Sequence, residues 1–210
     1  LFECLMGLQK GATGKVFLDG DKMTRGSVGE RIRFGMALIP EDRQREGLVQ
    51  GLSVADNMTL AAMWKFVTGF HLQTERLKDA VAGMIKRLSI KVAGAQVLIS
   101  SLSGGNQQKV VIGKALLTSP KVLLMDEPTR GIDVGAKAEV FDIMNDLVGR
   151  GLGIIFVTSE LREILAIAHR IVVMSKGKLT GEFGIEQATE EKLVAASAVG
   201  HKSGAHLLKH

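Results

Sequence analysis

From Ser103 onward the chain alternates helix-type and strand-type patterns, and two of its strand runs, Val122–Met125 and Ile154–Val157, are apolar at every position. A strand with one wet face alternates polar and apolar residues, whereas a run with no polar face must be covered on both sides. Helices alternating with such strands provide that cover by flanking a mostly parallel sheet, so the expected class is α/β. The spacing predicts a helix over about 104–118, a strand at 121–125, a helix over 134–149, a strand at 153–158, a helix over 160–168 and a strand at 170–174. Upstream, Lys15–Leu18 reads as a strand ended by an Asp19-Gly20 turn, and Ala37–Ile39 as a buried strand stopped by Pro40. Between Ser53 and Leu116 the pattern is mostly helical. Ser53 is the expected cap of one helix running into Met58, Leu60, Met63 and Trp64, and Thr74 the cap of a second through Arg87. Gly177–Phe183 reads as a hairpin arm and 190–199 as a last helix.

Composition removes several classes of function. Hydrophobic residues make up 46% of the 210, enough for a sizeable core. The net charge of +5 is spread along the chain with both signs mixed, and the aromatics are eight Phe and one Trp. Neither a basic arm nor a stacking platform for nucleic acid is present. Cys4 is the single cysteine, which excludes a disulfide framework and a thiolate metal cluster and fits a reducing, cytoplasmic setting. No run approaches the ~18 apolar residues of a membrane span. The opening residues lack the basic flank of a signal peptide. They begin without Met in what reads as mid-helix, so the chain is expected to be a fragment truncated just upstream. His71 and His169 have no partners at ligand spacing. His201, His206 and His210 lie in a polar tail expected to be loose.

Two motifs carry chemistry. Asp126 and Glu127 follow the apolar run 122–125, at the carboxyl end of a strand, where open α/β sheets bind ligands. Pro128 stops the strand and biases Glu127 away from helical dihedrals, so both carboxylates can face one site. One can hold Mg²⁺ through water while the other orients an attacking water. Ser103, Gly104, Gly105, Asn106 and Gln107 open the preceding helix, where bare backbone N–H groups at the positive end of the dipole suit phosphate oxygens.

Together these motifs resemble the nucleotide-binding domain of an ABC transporter. The matching segments are Leu-Ser-Gly-Gly-Asn-Gln at 102–107, Leu-Leu-Met-Asp-Glu-Pro-Thr at 123–129 and Arg130-Gly-Ile-Asp133. The resemblance implies an ABC ATPase fold, P-loop NTPase-like, with a mostly parallel sheet, flanking helices and an inserted helical subdomain at about 50–118. The domain is expected over 1–200 and a flexible tail over 201–210. Ser103–Gln107 are implied to be the signature motif, which contacts the γ-phosphate of ATP held by an opposing domain. Asp126 is implied as the magnesium ligand, Glu127 as the water-polarising glutamate, and Asp133 as part of the D-loop at the dimer interface. Asp133 is equally an N-cap for helix 134–149. Arg130–Lys137 and Pro40-Glu-Asp-Arg43 resemble more narrowly the second ATPase half of ribose-, galactose- and xylose-type sugar importers. The implied cofactors are ATP and Mg²⁺. The implied partners are a second, tandem N-terminal ATPase half, a transmembrane permease and, indirectly, a periplasmic sugar-binding protein, with no nucleic acid. The implied place is the cytoplasmic face of the membrane, peripherally bound.

Three departures from the family pattern bear on activity. No segment has the form G-x-x-x-x-G-K-[ST]; Gly11-Ala-Thr-Gly14-Lys15 imitates its end, but Val16 follows the lysine and Gln9 stands where the first glycine belongs. Ser159 occupies the switch-histidine position and cannot present a cation to phosphate. Glu41 occupies the Q-loop position; its carboxylate can ligate Mg²⁺ but cannot donate a hydrogen bond when ionised. An ATP-hydrolysing subunit that couples turnover to sugar uptake is the expected function, with this chain alone inactive. The alternative is a non-hydrolytic coupling module that lends its signature to ATP on a partner half.

Overall fold

The computed structural model describes residues 1–23 and 26–199. The tail at 201–210 and its three histidines lie outside the described residues. Two compact units result, residues 1–157 and a second beginning at Thr158.

The first unit is built on a three-stranded parallel sheet of β3 (Met36–Ile39), β6 (Val122–Asp126) and β7 (Gly153–Val157), with β6 in the middle. Leu123, Leu124 and Met125 of β6 are fully buried, as expected of an all-apolar central strand. The equally apolar β7 lies at the edge of this sheet with Ile155 and Val157 exposed, so its expected cover on both faces is not found among the described residues. Before the sheet come α1 (Phe2–Met6), the hairpin β1 (Val16–Leu18) and β2 (Asp21–Met23), and α2 (Val28–Phe34). Phe2, Met6, Met23, Met36 and Leu124 form one core cluster there. Ser27 starts α2 with a reciprocal capping box to Glu30.

The helical region comprises α3 (Val54–Thr59), α4 (Thr74–Arg87) and α5 (Gly104–Leu117). Ser53 caps α3 as expected, with Asp56 closing the box. Two expectations fail here. The helix begun at Ser53 stops at Thr59 instead of continuing through Trp64; a 3₁₀ turn (Met63–Phe66) and a short hairpin, β4 (Val67–Thr68) with β5 (His71–Leu72), follow. Ala62 has already left helical dihedrals, with φ −116° and ψ 7°, and Gly69 takes a left-handed φ of 60° at the hairpin tip. Thr74 is the first residue inside α4 rather than its cap; Gln73 holds the cap position without a side-chain bond.

Helix α5 is buried along most of its length, which is why its sequence shows no clear polar face. Gly113 accommodates this packing: a Cβ there would lie 3.0 Å from Met84 and 3.3 Å from Leu88 and Met58. Lys109, only 2% exposed, sends its ammonium to Glu139 at 2.6 Å and to the Ser89 carbonyl at 3.1 Å. Glu139 belongs to α6 (Val134–Gly149), which Asp133 caps through the Ala136 N–H at 3.0 Å.

The second unit, described by itself, contains α7 (Leu161–Ile167), the antiparallel pair β8 (Arg170–Ser175) and β9 (Lys178–Gly184), and α8 (Glu190–Ala198). Ile171 on β8 and Leu193 and Ala196 on α8 are buried apolar side chains of these elements.

Candidate nucleotide site

Strand β6 delivers Asp126 to the carboxyl edge of the sheet, half-buried and in register with Val157 of β7. Burial pushes its carboxyl above the usual carboxylate range, and the neighbouring charge of Glu127 adds to the rise. A carboxylate disfavoured in this way gains from a cation. A hard oxygen donor of this kind fits Mg²⁺, which takes one or two carboxylates and completes its shell with waters and phosphate oxygens. Among the described residues no group of three or more His, Cys, Asp or Glu side chains could hold a metal as a cage of its own.

Glu127 does leave the helical region, but into the left-handed one, with φ 45°. For a residue with a side chain that conformation costs roughly 1–2 kcal/mol. It is held by the Glu127 N–H donating to the Val157 carbonyl at 2.9 Å and by the Arg130 N–H donating back to the Glu127 carbonyl at 3.0 Å. Strain of this kind gathers at functional turns. Here it takes Glu127 out of the alternation of β6.

The five residues at the start of α5 divide by exposure. Ser103 is exposed and caps the helix, its Oγ accepting from the Asn106 Nδ2 at 2.9 Å; Gly104 is half-buried. Asn106 is engaged further, its Oδ1 accepting from the Lys91 N–H at 2.9 Å. Gln107 is buried, with Nε2 donating to the Ile99 carbonyl at 3.2 Å and Oε1 unpartnered. Gly105 is also buried, and a Cβ there would lie 2.5 Å from the Ala136 Cβ, so this glycine permits close approach of α5 to α6. Ser103 is therefore the exposed member, Gly104 and Asn106 are half-buried, and Gly105 and Gln107 are buried in the frame.

Glu41 lies on the surface after β3, and its carboxylate pairs with the Arg130 guanidinium. Two residues on, Arg43 donates from Nη1 to the Arg130 carbonyl at 2.8 Å and from Nη2 to the Gly131 carbonyl at 2.9 Å. The sequence noted Arg43 only as part of the Pro40–Arg43 likeness. Asp42 opens the π-helical turn 43–47, accepting from the N–H groups of Gln44 and Arg45 at 3.0 and 3.1 Å. Lys15 precedes β1 rather than a helix, unlike the lysine of a phosphate-binding loop. Ser159 is exposed in the second unit; beside it Thr158 Oγ1 donates to Glu163 at 2.8 Å and accepts from the Glu160 N–H at 3.1 Å. No helix among the described residues is long and apolar enough to cross a membrane.

Comparison with known proteins identifies the family and the fold. The family described as ABC transporter matches residues 1–130. The xylose import ATP-binding protein XylG of Moorella thermoacetica is 45% identical over 187 residues, covering 89% of this chain and 37% of that protein. The ribose import ATP-binding protein RbsA of Caldanaerobacter subterraneus subsp. tengcongensis is 46% identical over 199 residues, covering 93% and 40%. The chain thus spans about two-fifths of the length of these relatives. In fold it is similar to cbiO1 from Clostridium perfringens, part of the complex cbiONQ, with TM-score 0.75, 21% identity and coverage of 96% and 80%.

Proposed function

The chain belongs to the ABC transporter family, and from that premise we propose that it is an ATP-binding and ATP-hydrolysing part of a sugar importer, coupling hydrolysis to carbohydrate uptake. The observation that carries the reading is the paired carboxylates at the end of the central strand, Asp126 half-buried with a raised pKa and Glu127 held in a left-handed turn. The relatives are xylose and ribose import proteins, which points to the class of cargo.

Phosphoryl transfer to water needs positioning and charge neutralisation more than covalent chemistry. Asp126 would hold Mg²⁺, which when bound neutralises charge on the phosphate oxygens. Glu127 orients the attacking water and accepts its proton. Ser103 and Gly104 present the start of α5 to the γ-phosphate of ATP held by a second ATPase half. The remaining partners are a permease in the membrane and, through it, an external sugar-binding protein, with this domain peripheral on the cytoplasmic face. Leu60, Met63, Trp64, Val67, Phe70 and Leu72 are exposed apolar side chains within residues 60–72, of a kind suited to receive a permease helix. Since no G-x-x-x-x-G-K-[ST] segment occurs in these 210 residues, the chain alone lacks the cradle for the β- and γ-phosphates and turns over little ATP.

In the assembled transporter, Glu127→Gln should leave ATP binding intact and reduce hydrolysis at this half by about 10²-fold or more. Unchanged turnover would favour a second reading, a coupling module that lends Ser103 to ATP on its partner. That reading draws on the ion pair of Glu41 with Arg130 and on Ser159 standing where the resemblance implies a switch histidine.

A further inference from the structure

Three segments far apart in sequence meet at one side chain. The guanidinium of Arg43 bonds the carbonyls of Arg130 and Gly131, residues 87 and 88 positions away. The neighbouring Glu41 takes the Arg130 side chain. The third segment is the start of α5: a Cβ on Gly104 would lie 2.8 Å from Arg43 Nη2, so the glycine leaves the room that the guanidinium occupies. The Arg43 Nε is buried and without a partner, and partial burial lowers the pKa of the guanidinium. A desolvated cation with one donor unmet is a poor way to gain stability, since an apolar side chain would fill the same space without that penalty.

What Arg43 holds explains its presence. The turn after β6 is fixed at its near end by the Glu127 N–H on Val157 and closed by the Arg130 N–H on the Glu127 carbonyl. Its far end, at Arg130 and Gly131, is held by the two donors of Arg43. We propose that Arg43 is a positioning residue that fastens the segment after β3 to the turn bearing Glu127, so that a displacement of residues 41–47 displaces the glutamate. The planar fork matters because it meets two carbonyls at fixed spacing, which a lysine ammonium cannot do in the same geometry. The proposal rests on the hydrolytic reading of Glu127 for its kinetic consequence, but not for its structural one.

The test compares Arg43→Met, Arg43→Lys and Glu127→Gln in the assembled transporter. Arg43→Met should leave nucleotide binding and KM within about twofold while kcat at this half falls on the order of 10²-fold, the effect of misplacing a catalytic group by about 1 Å. Arg43→Lys should recover part of the loss. Amide hydrogen exchange should quicken about tenfold at Arg130, the N–H that closes the turn, with the amides of Leu123–Met125 unaffected. Unchanged exchange at Arg130 overturns the proposal, as does acceleration spread through β6, which would make Arg43 a general stabiliser. If Glu127→Gln leaves turnover intact, the hydrolytic reading fails instead, and the exchange result still decides whether Arg43 fastens the turn.

Discussion

Lys109 carries its charge almost wholly out of water, and its two polar contacts are Glu139 and the Ser89 carbonyl. The Lys109 ammonium holds the Glu139 carboxyl below the usual carboxylate range, first by hydrogen bond and then by charge. A depressed carboxyl pKa contributes stability that is present above the unfolded-state value and lost as pH falls through the folded-state value. Glu139→Gln should therefore cost about 2 kcal/mol at neutral pH, less than for a fully buried pair because Glu139 is 45% exposed. Lys109→Met should cost less, since the half-exposed Glu139 can be solvated again. Urea midpoints against pH will check this: the wild-type and Glu139→Gln curves should converge in acid, and a costlier Lys109→Met would contradict the account. At this scale the sequence is legible where the chemistry is local. Asp126, Glu127, Ser103 and Asp133 announce themselves through their neighbours. Arg43 does not, because its partners lie 87 and 88 residues away and are backbone carbonyls, which any residue type supplies.

The helical region shows what an apolar run withholds. Residues 48–70 contain too many large side chains for periodicity to sort inward from outward. The run invites the expectation that Met63 and Phe66 together line a docking groove. The structure separates them: Phe66 is 6% exposed at the end of the 3₁₀ turn, and Met63 is 36% exposed. Phe66→Asp should accordingly destabilise the domain by about 3–5 kcal/mol. Met63→Asp should fold within about 0.5 kcal/mol of wild type and lower transport per ATP hydrolysed. Thermal unfolding followed by transport assays in vesicles separates the two outcomes; normal coupling with Met63→Asp would move the docking surface to the Trp64–Phe70 side. The strand–helix alternation from 103 to 157 was readable because each element there is long enough to show its period. The two-residue strands β4 and β5 carry no such signal.

For the whole molecule, the decisive partner is a second ATPase half. Ser103→Arg would set a bulky cation at the exposed start of α5, where a partner's γ-phosphate is proposed to arrive. ATP binding by the isolated partner half should persist, while ATP-driven closure and uptake fall at least about tenfold. Uptake at the wild-type rate would show that this helix start faces no nucleotide. Such assemblies need a gauge of integrity that is independent of turnover, and the interior of the first unit contains one. The acylation of an amine requires a reachable nitrogen, so a lysine shielded as Lys109 is stays unmarked by amine-directed reagents while surface lysines label at once. Mass spectrometry of the tryptic peptides would then read the labelling of Lys109 as a clock for how often α5 parts from α6. A preparation can be certified as folded before a single phosphate is released.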